Sequence, residues 1–121
     1  MGDSNIIEIK RIDTYNHNDI EVLSNLASSI VKQHYDSILG AEQNDYMIKM
    51  FQSVDAIKSQ IENGYEYYMI FMGEFPVAFT AFYERTGKLY VSKFYVDINY
   101  RKKGISWQIF EFIKNEARKK N

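Results

Sequence analysis

"VDINYRKKGISWQIFEF", Val96 to Phe112, joins the end of an apolar run to the start of an amphipathic one through a turn with three positive charges and one glycine. Helix starts ordinarily favour acidic side chains, because their unpaired N–H groups already present partial positive charge. Here Arg101, Lys102 and Lys103 stand at that end instead. A strand ending at Val96 and a helix beginning near Ile105 leave the intervening amides pointing at one spot, and Gly104 allows close approach to the backbone. Phosphate is the ligand such a turn suits, and a pyrophosphate carries enough acceptor oxygens to engage several successive amides. Short basic turns are common, so the reading depends on the surrounding chain.

Working outward, the pattern changes period at Gly64. "YEYYMIFM", "PVAFTAFYE" and "LYVSKFYV" are strand-length runs rich in β-branched and aromatic residues. The connectors "GEF" and "RTGK" are short enough for hairpins, which predicts an antiparallel meander. Pro76 sits at a strand start, where its missing N–H does least harm. From Ile105 to about Lys120 the period is helical, with Ile105, Ile109, Phe112, Ile113 and Ala117 placed to cover one face of the sheet. Before Gly64, "IIEIKRI" (Ile6 to Ile12) alternates as a strand. Asn16 or Asn18 then caps a helix whose apolar stripe runs through Ile20, Leu23, Ala27, Ile30, His34 and Ile38 to a stop at Gly40. A second helix is expected from about Asp45 to Ser53, and Ser53 caps a third that Gly64 closes. The order of strand, helices, three strands and helix is that of an α+β domain, a single one over residues 1–121.

Composition narrows the function classes. With no cysteine, disulfides and thiolate metal sites are excluded, and the usage fits a reducing cytoplasm. The opening "MGDSNIIEIKRID" lacks the apolar run of a signal peptide, and no stretch reaches membrane-spanning length. Net charge is only −1, yet its distribution is uneven: seven Lys and Arg face thirteen Asp and Glu up to Lys88, and eight face three from Leu89 onward. Such a division favours an anionic ligand at the C-terminal part, although solvated surface charge is its simplest use.

The segment "YVDINYRKKGIS" resembles the signature of the GNAT superfamily of acyl-CoA-dependent N-acetyltransferases: Gln or Arg, two residues, Gly, one residue, then Gly or Ala, set between a central strand and a helix. Arg101 and Gly104 are in register. Ser106 stands where the family prefers Gly or Ala, Ile98 where proline is common, and Lys102 where a further glycine is common. The order of elements agrees with the family along the whole chain. The resemblance implies a GNAT-like mixed sheet and acetyl-CoA as cosubstrate, with Arg101, Lys102, Lys103, Gly104, Ile105 and Ser106 on the pyrophosphate. It also implies the pantetheine arm alongside Phe94, Tyr95 and Val96, with a local bulge there freeing a backbone amide, that of Val96, to hold the thioester oxygen. Lys93, Lys102 and Lys103 have solubility as their alternative role.

Acetyl transfer to an amine requires a neutral amine, a donor for the developing oxyanion and a proton for the leaving thiolate. The motif strand contains no carboxylate, so Glu84, at the end of the preceding strand, is the expected base, with Asp97 second; either serves equally well as an exposed carboxylate. His34 continues an apolar stripe and reads as a hydrogen-bonded core histidine, and His17 is a weaker candidate still. By resemblance, "GAEQNDY" (Gly40 to Tyr46) lies where relatives shape the amine pocket, so Glu42 and Asp45 are expected to attract a cationic, polyamine-like acceptor, unless they only shape the turn.

The family ordinarily continues past this helix with a fifth strand, a further helix and a closing hairpin, whereas this chain stops at Asn121. That implies a truncated member or one part of a split protein, lacking the family's last strands. An unpaired apolar strand at Leu89 to Val96 would then favour homo-oligomers. A small-molecule or protein amine is the implied substrate, with no metal, membrane or nucleic-acid partner. The alternatives are a non-catalytic CoA-binding or interaction module and, against the acidic N-terminal part, a nucleic-acid binder using the two "RKK" clusters.

Overall fold

The computed structural model describes residues 6–120; residues 1–5, part of the stretch read for a signal peptide, and residue 121 lie outside it. The elements run β1 (Glu8–Ile12), α1 (His17–Leu39), α2 (Ala41–Gln52), α3 (Val54–Glu62), β2 (Glu66–Met72), β3 (Phe75–Arg85), β4 (Lys88–Val96), a short 3-10 turn (Ile98–Tyr100) and α4 (Ile105–Lys119). All strand pairs are antiparallel, in the order β1-β2-β3-β4. Among the described residues β4 pairs only with β3, so its outer edge is open.

Both faces of this sheet are covered, which is why its strands are apolar almost throughout rather than alternating. On one face α1 and α3 pack Ile20, Leu23, Ala27, Ile30 and Ile57 over Tyr67, Met69, Phe79 and Ala81. On the other, α4 sets Ile105, Ile109 and Ile113 on Tyr68, Ile70, Val77, Phe82 and Val96. The three isoleucines recur every four residues, the spacing that stacks side chains on one side of a helix. Successive β4 residues therefore belong to different layers: Tyr95 packs with the α1 side, Phe94 and Val96 with the α4 side.

Local signals explain most boundaries. Asn16 Oδ1 accepts from the Asp19 amide at 3.1 Å and starts α1, which selects Asn16 over Asn18. Ser53 Oγ accepts from the Ala56 amide and starts α3. Two-residue turns at Gly73–Glu74 and Thr86–Gly87 close the hairpins; Thr86 and Gly87 both have positive φ, as the hairpin twist requires.

Three expectations are corrected. The first strand begins at Glu8 rather than Ile6. α2 begins at Ala41 rather than near Asp45, because Gly40 ends α1 and begins α2 with no capping side chain for a sequence reading to find. The α1 stripe does not extend to Ile38, which is 72% exposed, because the core beneath α1 ends before it.

Candidate active site

β4 feeds through the 3-10 turn into the loop 101–104 and so into α4. The junction is tied to α1 by one glutamine: Gln33 Oε1 accepts from the Ile98 amide at 3.0 Å, and Gln33 Nε2 donates to Asp97 at 3.2 Å. Asp97 also accepts from the Asn99 amide at 2.9 Å, so this carboxylate is engaged in building the turn. In the loop, φ is +63° at Lys102, negative at Lys103 and +78° at Gly104. Alternation of this kind curls successive amides into a concave anion-binding nest. Among the described residues, the amides from Lys102 to Trp107 donate to no backbone carbonyl; the first such bond of α4 runs from Gln108 to Gly104. Lys102, Lys103 and Ser106 are exposed around these donors, and Ile105 is buried beneath them. Free amides, a left-handed backbone and two free ammonium groups fit a diphosphate.

Arg101 is turned differently. Its guanidinium donates to His34 Nε2 at 2.6 Å, against α1. Partial burial, then the Arg101 charge, hold the His34 pKa below its usual value, against an opposing pull from the Val96 carbonyl. His34 is thus a half-buried neutral acceptor at the loop rather than the core histidine its helical spacing suggested.

Beside this junction, under α1 and α2, lies a cavity of about 320 Å³. Leu39, Met47, Ile48 and Phe51 give it an apolar wall. Ser92, Lys93 and Tyr95 of β4, with Tyr35 of α1, form the other side. Tyr35 and Tyr95 meet edge to face, with centroids 6.5 Å apart. Burial, and then its hydrogen bond with Tyr35, push the Tyr95 phenol up to about 12, so Tyr95 keeps its proton at neutral pH.

The strand register places a bulge in the same wall. Val91 pairs with Phe82 and Lys93 with Ala81, leaving Ser92 as the extra residue. The bulge was expected at Phe94 to Val96, but those residues lie in regular register opposite Thr80, Phe79 and Ala78. The irregularity lies not at Val96, which faces Ala78, but four residues earlier at Ser92, which has no partner in the register.

Lys93, next along the strand, is the most unusual group. It is only 9% exposed, and its ammonium donates to Phe51 O at 2.9 Å, Gln52 Oε1 at 3.0 Å and Gln60 Oε1 at 3.2 Å, with the Tyr67 hydroxyl also in contact. Burial brings its pKa down to about 8. A solubility role is thereby excluded for Lys93. Its position two residues before Tyr95 puts it on the same face of the strand, which α1 and α2 cover.

The expected carboxylates are elsewhere. Glu84 pairs with Leu89 near the hairpin tip, four positions from Thr80 and hence roughly 13 Å along the strand from the Phe94 level. That separation removes it from the cavity, as the length of β3 dictates. Asp45 accepts from Lys32 Nζ at 2.6 Å, Glu42 is exposed, and neither lines the cavity. Gln33, Ser92 and Lys93 are the site residues that sequence reasoning did not assign.

Comparison with known proteins identifies a family and a shared fold. A family model described as an acetyltransferase (GNAT) domain matches residues 15–121. No curated protein matches in sequence. Among solved structures, the PaiA N-acetyltransferase of Thermoplasma acidophilum in complex with coenzyme A superimposes with a TM-score of 0.83 at 19% identity, covering 95% of this chain and 74% of that one. A GCN5-related N-acetyltransferase from Ralstonia eutropha JMP134 gives 0.68 at 16% identity, covering 94% and 77%. A ribosomal-protein-alanine N-acetyltransferase from Brucella melitensis biovar Abortus 2308 gives 0.61 at 18% identity, covering 95% and 74%. At these identities the likeness is one of fold.

Proposed function

The chain belongs to the GNAT acetyltransferase family, and from that premise we propose that it moves an acetyl group from acetyl-CoA to the primary amine of a small molecule bound in the cavity under α1 and α2. The observation that carries this reading is the juxtaposition of the open amides at 102–107 with a bulged, unpaired strand edge and a half-open cavity. When bound, acetyl-CoA supplies the activated thioester. Lys102, Lys103 and the loop amides hold its diphosphate, with the Ser106 hydroxyl close by and Ile105 anchoring the helix start. The open edge at Phe94, Tyr95 and Val96 offers main-chain groups for the pantetheine arm. Arg101 contributes its charge while fixing His34.

The backbone amide of Ser92, at the bulge in the cavity wall, is the candidate donor to the developing oxyanion. No carboxylate lines the cavity, so the acceptor's proton leaves through solvent at its mouth. Lys93 assists that step by electrostatics, since a nearby positive charge lowers the pKa of an ammonium. Tyr95, held protonated, can give but not take a proton. The lack of a lining carboxylate also supports a second reading, a CoA-binding module without turnover. Chain composition without cysteine supports a reducing, cytoplasmic setting, and among the described residues no helix is long and apolar enough to cross a membrane.

Calorimetric titration with acetyl-CoA tests the first step, with saturable one-to-one binding expected. Release of free thiol on adding primary amines then separates the enzyme from the module. Failure to bind acetyl-CoA would sink both readings.

A further inference from the structure

A buried ammonium normally has an anionic partner, because removing a charge from water is costly unless another charge compensates. The donors of Lys93 are satisfied by carbonyl and amide oxygens and a phenol, all neutral. Hydrogen bonding is complete, but the net charge remains. The cavity beside it has no lining carboxylate, and the nearby acids are engaged with other groups: Asp45 with Lys32, and Asp36 with Lys32 and Asn44. The cavity is therefore positive on its β4 side and apolar on its α2 side.

We propose that Lys93 selects the acceptor: the cavity takes a small zwitterionic amine, an apolar α-amino acid or close analogue, whose carboxylate takes the place of the cavity-lining Gln52 Oε1 beside the Lys93 ammonium while its side chain lies against Leu39, Met47 and Phe51. This rests on the N-acetyltransferase reading and names its substrate class. A volume of about 320 Å³ accommodates a molecule of that size. A diamine or polyamine would instead bring a second ammonium toward Lys93, which like-charge repulsion opposes. The polyamine expectation drew on Glu42 and Asp45, neither of which lines this space.

The test uses binding probes that need no turnover. The whole chain is titrated calorimetrically with 3-phenylpropionate, which has the carboxylate and apolar body but no amine, and with phenethylamine and 1,4-diaminobutane, which have no carboxylate. We expect 3-phenylpropionate to bind at least about tenfold more tightly than either amine, the size of one favourable ion pair. Lys93→Met should abolish that preference and Lys93→Arg should keep it. In NMR pH titrations, the Lys93 pKa should rise from about 8 when 3-phenylpropionate is bound. In transfer assays phenylalanine should exceed phenethylamine about tenfold in kcat/KM, and the ratio should fall to near one in Lys93→Met. Equal or tighter binding of either amine, a preference that survives Lys93→Met, or no binding of any probe would overturn the proposal. The acetyl-CoA titration stands apart from these outcomes, so the failure of the transferase reading is recognised separately.

Discussion

Lys93 shows what one residue can impose. Its pKa, about 8 in the fold against 10.5 for the free side chain, means that the folded chain binds fewer protons than the unfolded chain between those values. Stability from this position therefore rises with pH across that window, and the burial penalty is at its full size below pH 8. The gap corresponds to roughly 3 kcal/mol, at 1.36 kcal/mol per pKa unit. Lys93→Met also leaves the Phe51 and Gln52 oxygens without their donor, but that loss does not depend on pH. Urea unfolding of wild type and Lys93→Met at a series of pH values should show wild type gaining on the variant from about pH 8 to pH 10.5. A constant difference would mean that the ammonium is not desolvated. Nothing in a single sequence distinguishes such a lysine from a surface one until the strand face it occupies is known to be covered. Lys102 illustrates the converse: its φ of +63° explains physically why the resembled motif commonly places glycine there.

At the scale of elements, periodicity made every helix and strand legible, because both sheet faces are covered and each helix carries an apolar stripe. What it could not supply was position along those elements. The bulge at Ser92 depends on how β3 and β4 pair, which no local pattern encodes. The start of α2 was hidden because Gly40 serves both helices, with φ +86° and ψ 142°, a combination close to glycine alone. This glycine sets the angle between two helices that wall the cavity through Leu39, Met47 and Phe51. A Cβ at Gly40 would touch nothing within 4 Å, so the cost of Gly40→Ala is backbone strain alone, about 1–3 kcal/mol. Chemical denaturation should show that loss, and kinetics should show a raised KM for the acceptor with little change in acetyl-CoA affinity. A variant that weakens acetyl-CoA binding first would contradict the assignment of this wall to the acceptor.

For the whole molecule, the division of charge read from the sequence acquires a location. The excess of basic residues after Leu89 includes Arg101, Lys102 and Lys103 at the mouth of the loop and Lys93 in the cavity wall, so the ends of both proposed ligand sites are positive. Of the candidate site, the loop was the legible half, because motif and charge coincide there; the cavity, assembled from α1, α2 and β4 by long-range packing, was not. The open β4 edge also suits pairing with a second copy, and light scattering with and without coenzyme A should show whether the ligand disfavours that association. The two halves respond differently to salt. Coenzyme A at about one hundred times its dissociation constant should stabilise the chain by about 2.7 kcal/mol, a rise of roughly 10 °C in Tm for a domain of this size. Lys102 and Lys103 are exposed, so their attraction for the diphosphate weakens as the screening length falls from about 10 Å at 0.1 M salt to about 3 Å at 1 M. Pantetheine lacks the diphosphate and retains only the strand-edge contacts, so its smaller stabilisation should change little over the same range. Thermal melts with each ligand should therefore show a salt-dependent shift for coenzyme A and a nearly constant one for pantetheine. Equal salt responses would place the diphosphate away from residues 101–106 and remove the physical basis for the loop's role.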